Sequence, residues 1–532
     1  MPNRIAILIS AALLLILALI PVLSVQIPPL SDYPNHMARM HILADGGQNP
    51  FLREYYAIHW DLLPNLAMDL IVPPLLSILS PESAGRLFIG WLFAGLMSGT
   101  IALHYALHRR WSPWPLLGYF FLYNSVFLWG FLNYLFGLSL ALPAIALWLL
   151  LRNRPAALVI PLFSCITIIL FFAHLFAFGV WAMIVLSYEG NHWWRDRQTG
   201  TPHEAHLFWK VVPPLALPLL LLTLSPTFRP TTPSDYPNWL RGAPPRPSIT
   251  FAPLNTRLEA LKGTIRTPQT NLDRVTAVLL FGLVGTGLAL RQCRILPSMY
   301  LPLAVTAAVA LAMPSTIGTT GLAEIRMPIV FLLLLVAASD WSTLRRRWLI
   351  PVALALIALF VIRLGVITEH WRETDRHYRQ FLEALDHVPE GSRLFSGLVR
   401  PDVNSAMEGS EPDPMPMNAL TCWGIIRRSL FVSNLFSAPG QQPVRLTTAY
   451  RQMLTAEEFI AQSRPLPWDQ IGTDYDFVVV RKGHRFARTI PATFTATESG
   501  EMFQFYRTPR RESATPGTER LGGAVTGILL SR

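Results

Sequence analysis

The sequence predicts an α-helical polytopic membrane bundle of about eleven transmembrane helices, followed by a small α/β domain outside the cytoplasm. Three observations lead there. Hydrophobic residues make up 52% of the 532-residue chain and charged residues only 14%, which points to lipid as the main solvent. Apolar stretches long enough to cross a hydrocarbon core recur over residues 5–367, flanked by Arg, Trp or Pro, and stop after Thr368. Basic residues cluster in alternate connections: Arg4, Arg109 with Arg110, Arg152 with Arg154, Arg195 with Arg197, Arg291 with Arg294, and Arg345 to Arg347. With Arg4 in the cytoplasm, all of these fall on the cytoplasmic side if the crossings are 5–26, 86–107, 114–131, 134–151, 156–173, 175–190, 207–225, 275–290, 298–313, 327–340 and 348–367.

The first apolar segment has no small-x-small cleavage site before Gln26 and is read as a retained helix rather than a signal peptide. The stretch 62–79 is apolar enough to tempt a further crossing, yet counting it would invert every later loop. It is therefore expected to lie on the outer surface, anchored by Trp60 and interrupted at Pro73 and Pro74. The membrane part, 1–368, then carries outer loops at 26–85, 226–274 and 315–326, which together can roof a cavity.

In the outer domain, 369–509, Tyr378, Phe381, Leu382 and Leu385 share one helical face, and Pro389, Glu390 and Gly391 end that helix. Residues 393–399 and 474–481 read as strands, and Thr455 with Glu458 forms a capping box. Such a unit is expected to fold apart from the membrane. The tail 510–532, rich in Gly, Ser, Thr and Arg, reads as disordered.

The net charge of +11 is scattered between apolar segments instead of lining one face, so nucleic acid is not the partner it implies. Cys422 stands alone in the outer domain, which excludes a disulfide within it. There is no Walker loop, dinucleotide fingerprint, paired-cysteine metal motif or nucleophile elbow, so no nucleotide cofactor is expected. A divalent metal stays open.

Directly after the first crossing, Pro-Leu-Ser-Asp-Tyr-Pro-Asn-His-Met-Ala-Arg places Asp32, His36 and Arg39 at the outer membrane face. Further on come Val-Pro-Pro-Leu from Val72, with Arg86 and Leu87 opening the next helix, and Glu-Ile-Arg-Met-Pro from Glu324. These stretches resemble the GT-C superfamily of polytopic glycosyltransferases, such as protein O-mannosyltransferases and lipid A aminoarabinose transferases. The resemblance implies an essential acidic residue in the first outer loop, interfacial helices beside it and a soluble outer domain. It also implies a polyprenyl-phosphate sugar donor; residence in the bacterial inner membrane is expected, and the basic clusters put the N-terminus in the cytoplasm and the C-terminal domain outside it. Many relatives have Asp-Glu where this chain has Asp32-Tyr33, which leaves a metal or second-carboxylate role undecided.

Transfer from a polyprenyl phosphate needs a base for the acceptor proton and cations for the leaving phosphate. Asp32 fits the first task, and Arg326 with Arg39 the second. Plainer readings exist: Asp32 before Pro34 suits a helix N-cap, and Arg326 suits a helix end among lipid headgroups. His36 either lines the same cavity or solvates at the interface, and His174, among aromatics, either borders water or is a satisfied structural residue. Glu324 either pairs with Arg326 or meets the acceptor. His59 with Trp60 reads as an interfacial pair, Glu54 and Asp61 as solvated loop charges, Asn133 and Tyr134 as a hairpin turn, and Glu259 and Asp273 as weaker candidates.

The function expected is transfer of a sugar from a polyprenyl-phosphate donor to an extracytoplasmic glycan, lipid or protein acceptor. The rivals are a transporter or flippase of lipid-linked glycans and a noncatalytic envelope assembly factor. For the enzyme, Asp32 and Arg326 should face one groove bordered by His36, Arg39 and His174, with 62–79 as its hydrophobic wall.

Overall fold

The structure is a computed structural model that describes residues 4–199, 206–228, 249–317, 320–344, 346–399, 412–413, 415–456, 459 and 464–509. Six helices among these are long and apolar enough to cross a membrane: Arg4–Leu23, Pro81–His108, Leu132–Leu151, Ala156–Ala173, Thr270–Ala289 and Arg347–Asp386. Three shorter apolar helices accompany them, Trp209–Leu224, Pro297–Ala312 and Met327–Ala338, and a 25-residue helix, Leu175–Thr199, packs among them.

Chain reversals gather at two ends of this bundle. At one end the Arg152–Glu189 ion pair (2.6 Å), the Arg110–Asp340 pair, and Thr343 bonded to the Arg291 carbonyl (3.1 Å) bring the basic connections together. At the other, the Asp32 amide bonds to Trp129 (3.0 Å), Leu66 to Phe172 (2.6 Å) and Ser315 to Thr250 (2.8 Å). The sorting of basic connections to one end is the one their spacing predicts.

The expected helix at 114–131 takes another form. Its first half is a 3-10 helix, Trp114–Phe121, and a single α-turn, Ser125–Leu128, follows. Asn124 interrupts it: the side-chain amide donates to the Phe121 carbonyl (2.7 Å) while its oxygen accepts from the Phe127 amide (3.0 Å), giving the backbone partners a continuous helix would replace. Tyr119 and Tyr123 donate to the Ala11 and Ala18 carbonyls of the first helix (2.6 and 2.7 Å), so the irregular segment is fastened to its neighbour.

Within 62–79 the helix is Ala67–Leu75, nine residues long and too short to span. Pro73 and Pro74 lie inside its last turns instead of interrupting it.

The last helix, Arg346–Asp386, runs 41 residues, about 61 Å at 1.5 Å per residue, and carries the chain from the bundle into the outer domain. Tyr378, Phe381, Leu382 and Leu385 form its buried face there. The domain's five-stranded sheet has the order Thr495–Ser499, Phe503–Arg507, Phe477–Arg481, Arg393–Gly397, Phe431–Val432. The first three strands pair antiparallel and the last two join in parallel.

This domain is not self-contained. Strand Tyr56–Ile58 of the first outer loop pairs antiparallel with Val444–Leu446. Asn35 donates to the Asn434 carbonyl (3.3 Å), Tyr56 to that of Leu430 (3.2 Å) and Tyr55 to that of Gly391, while Tyr33 stacks on Trp423 (6.3 Å). The outer unit is thus built jointly from the first loop and the C-terminal residues, with Tyr55 and Tyr56 buried between them. The second and third outer loops also join, through strands Ile249–Thr250 and Thr316–Ile317. Much of the second loop (229–248), Glu458 of the capping box and the tail 510–532 lie outside the described residues.

Candidate active site

The first outer loop turns into helix Tyr33–Asp45 with Pro34 in its first turn and Asp32 at the N-cap position. Asp32 has φ −94° and ψ −4°, and its side chain makes no capping hydrogen bond, so the capping role that its place before Pro34 suggests is not what holds it. Its backbone is pinned instead: the amides of Ser31 and Asp32 donate to the carbonyls of Leu128 (2.9 Å) and Trp129 (3.0 Å). Gly130 makes that approach possible. It sits at φ +86°, and a Cβ there would lie 2.9 Å from the Asp32 nitrogen.

Burial pushes the Asp32 carboxyl up to about 6, against the opposing pull of the Arg39 and Arg326 charges. His36, one turn along, is held neutral by burial, with its ring pushed down to about 3 although it is hydrogen-bonded to the Gly130 backbone. Its Nδ1 has no protein partner.

Arg326 comes from the turn just before helix Met327–Ala338 and is 6% exposed. Its guanidinium lies over the rings of Phe131 (4.7 Å) and Phe176 (4.8 Å), with Tyr134 at 6.0 Å. Nη2 makes one long bond to the Gly321 carbonyl (3.4 Å), while Nε and Nη1 have no partner. Burial lowers it to about 10, so it is charged at neutral pH. His174 stands against the same ring, 5.3 Å from Tyr134, its Nδ1 accepting from the Phe176 amide (3.1 Å); burial first and Arg326 second lower its basicity. Glu324 is 2% exposed with Oε2 unpartnered, and burial raises its carboxyl against the pull of Arg326 and Arg257. Asp32, His36, His174, Glu324 and Arg326 therefore share one end of the bundle, linked by the electrostatic influence of Arg326 on Asp32, Glu324 and His174.

Arg39 belongs to a different arrangement from the one expected. Its Nε and Nη2 clamp the two oxygens of Asp69 (2.8 and 3.2 Å) and Nη1 bonds Gln442 (2.5 Å), all buried. A fork already filled by a carboxylate is a poor phosphate clamp, so Arg39 ties the loop, the Ala67–Leu75 helix and the outer domain together.

Asn133 and Tyr134 are more than a hairpin turn. Asn133 accepts from the Met68 amide (2.8 Å) and donates to the Asn65 carbonyl (2.9 Å), fixing the start of the Ala67–Leu75 helix. Tyr134 donates to the Arg326 carbonyl (2.7 Å). The sequence signal for both was a polar pair opening an otherwise apolar run. Glu54 and Asp61 are likewise engaged, with Tyr450 and Arg445 respectively. Asp273 pairs with Arg363 (2.9 Å) and Glu259 with exposed Lys262 (2.6 Å), which leaves neither in the site. Trp60 and His59 are exposed, as an interfacial pair requires.

Among the described residues no group of three or more His, Cys, Asp or Glu side chains is placed to hold a metal ion. The chemistry on offer is a carboxyl pushed up to about 6 by burial and within the electrostatic reach of a buried cation with free donors, which suits proton abstraction coupled to departure of an anion.

No protein-family model and no curated protein matches this sequence. Among solved structures, ArnT from Cupriavidus metallidurans bound to undecaprenyl phosphate aligns over 95% of this chain and 97% of its own, at 10% identity and TM-score 0.50. The apo state of the same protein aligns over the same shares at 11% identity and TM-score 0.51. The present chain therefore shares the overall fold of that protein over nearly its whole length.

Proposed function

We propose that this chain is an integral membrane glycosyltransferase that moves a sugar from a polyprenyl-phosphate donor to a glycan, lipid or protein acceptor on the outer face of the bacterial inner membrane. The observation that carries the reading is Arg326, buried in an aromatic cage with two guanidinium nitrogens unpaired, and coupled to Asp32. A buried cation without a carboxylate partner is expensive unless a ligand supplies the anion. That the matching ArnT structure holds undecaprenyl phosphate supports a polyprenyl phosphate as the anion's source.

In the proposed step Asp32 takes the proton of an acceptor hydroxyl, and the acceptor oxygen attacks the anomeric carbon. The bond from that carbon to the phosphate oxygen breaks, and its electron pair leaves with the phosphate, which Arg326 holds. His36, neutral and with a free Nδ1, and Glu324 border the sugar. Arg39 acts indirectly, by fixing the helix that carries Asp32. We read the two ends of the bundle as the two membrane faces, with eleven crossings, the N-terminus in the cytoplasm and the site outside.

The test is release of polyprenyl phosphate from a labelled polyprenyl-phosphate sugar by purified protein. Asp32→Asn should slow it by about 100 to 10,000-fold while the melting temperature holds. Full turnover by that variant would remove Asp32 from the mechanism. Failure of the folded wild type to release phosphate from any such donor would return the chain to the assembly-factor reading.

A further inference from the structure

A groove among the described residues lies away from Asp32, between the first helix and the last. It measures about 830 Å³, and a second hollow of about 530 Å³ continues it outward along the same helix. Its inner half is apolar, formed by Leu17 and Ile20 of the first helix against Val361 and Leu364 of the last. Its outer half is charged: Glu369, Arg372, Glu373 and Arg376, all exposed, follow directly on Thr368, where hydropathy places the end of the membrane segment.

Two features separate this wall from an ordinary solvated helix face. The four charges stand three and four residues apart, a spacing at which Glu and Arg on a helix commonly pair. Yet none of them makes an ion pair or hydrogen bond among the described residues, whereas Arg379 nearby is taken by Asp375 (2.7 Å). Gly365 lies at the junction of the apolar and charged halves, and a side chain there would meet nothing within 4 Å.

We propose that this groove seats a diacyl phospholipid of the outer leaflet whose headgroup carries an amine. The acyl chains lie over Leu17, Ile20, Val361 and Leu364, past Gly365. Arg372 and Arg376, one turn and about 6 Å apart along the axis, receive the phosphate. Glu369 and Glu373 receive the ammonium. Charge complementarity selects this occupant: an anionic headgroup would satisfy both arginines and meet both glutamates with like charge, whereas a zwitterion matches all four.

Native mass spectrometry of the delipidated full-length protein, titrated with dioleoyl phosphatidylethanolamine, dioleoyl phosphatidylglycerol or dioleoylglycerol, tests the proposal. The wild type should take up one phosphatidylethanolamine first, phosphatidylglycerol about fivefold less readily, and dioleoylglycerol least. R372Q/R376Q should weaken phosphatidylethanolamine uptake about tenfold, G365W should block it from the apolar side, and E369Q/E373Q should abolish the preference over phosphatidylglycerol. Equal uptake by wild type, R372Q/R376Q and G365W, each with an unchanged melting temperature, would overturn the proposal. So would a wild-type preference for phosphatidylglycerol.

Discussion

Arg39 and Arg326 are both buried at the same end of the bundle, both act on the Asp32 carboxyl, and they are 4% and 6% exposed. Arg39 is saturated, its fork filled by Asp69 and its remaining side by Gln442, a residue drawn from the far end of the chain. Arg326 rests on aromatic faces with Nε and Nη1 unused. The same side chain at the same depth thus serves two ends. One neutralises a carboxylate that would otherwise be stranded, and holds the loop to the outer domain; the other is held by rings that satisfy its faces and leave its edge free for an anion.

The sharpest way to break this comparison is to remove each arginine in turn. Arg326→Met should lower donor turnover by about 100 to 1,000-fold, the range for deleting a preorganised donor to a developing anion. Its melting temperature should hold or rise, because an unpaired buried cation has been taken away. Arg39→Met should behave in the opposite sense. It leaves Asp69, whose side chain is 0% exposed, without its partner, and should destabilise the protein by about 3 to 5 kcal/mol. Adding Asp69→Leu should recover most of that loss, since both charges are then absent. A stable Arg39→Met beside an unfolding Arg326→Met would reverse the assignment.

A smaller effect sharpens the geometry around Asp32. Gly130→Ala places a Cβ against the Asp32 and Tyr33 amides at a positive φ, at a cost of about 1 to 3 kcal/mol. The loop carrying Asp32 should give way before the bundle does, so turnover should fall further than the melting temperature alone would account for. Equal activity at an unchanged melting temperature would mean that the carboxylate is not positioned by this contact.

These contrasts also mark what the sequence disclosed. Asp32, Arg326 and His174 could be placed together because basic residues orient the loops and because charged groups at apolar boundaries stand out. The strands Arg393–Gly397 and Phe477–Arg481 were legible as short apolar runs. Arg39 was not, because its partners are 30 and 403 residues away, and no local pattern encodes which arginine a distant carboxylate will claim. The pairing of Tyr56–Ile58 with Val444–Leu446 escaped for the same reason, being a three-residue strand whose partner lies in the last quarter of the chain. At 114–131 hydropathy measured apolar length correctly but could not see that Asn124 bonds the backbone on both sides.

The gentlest test uses pH and asks whether Arg326 and Asp32 work in one place. With its carboxyl pushed up to about 6 by burial, Asp32 is protonated on the acid side and cannot accept the acceptor's proton there. Turnover should therefore rise with pH, reach half its plateau near pH 6 and level off above about pH 7; at pH 5 it should be about tenfold below the plateau. A carboxyl at its ordinary value of 3.8 would already be fully active at pH 5. His36 titrates near 3 and Arg326 near 10, so neither contributes to this limb, and His36→Gln should leave its midpoint in place. The Arg326 charge opposes the upward push on Asp32, so in Arg326→Gln the residual activity should titrate at a higher pH than in the wild type. Initial rates of donor release across the limb, measured for the three proteins, decide the matter: a midpoint that does not move when Arg326 is lost would place the guanidinium and the carboxylate in separate environments, and the shared-site mechanism would fall.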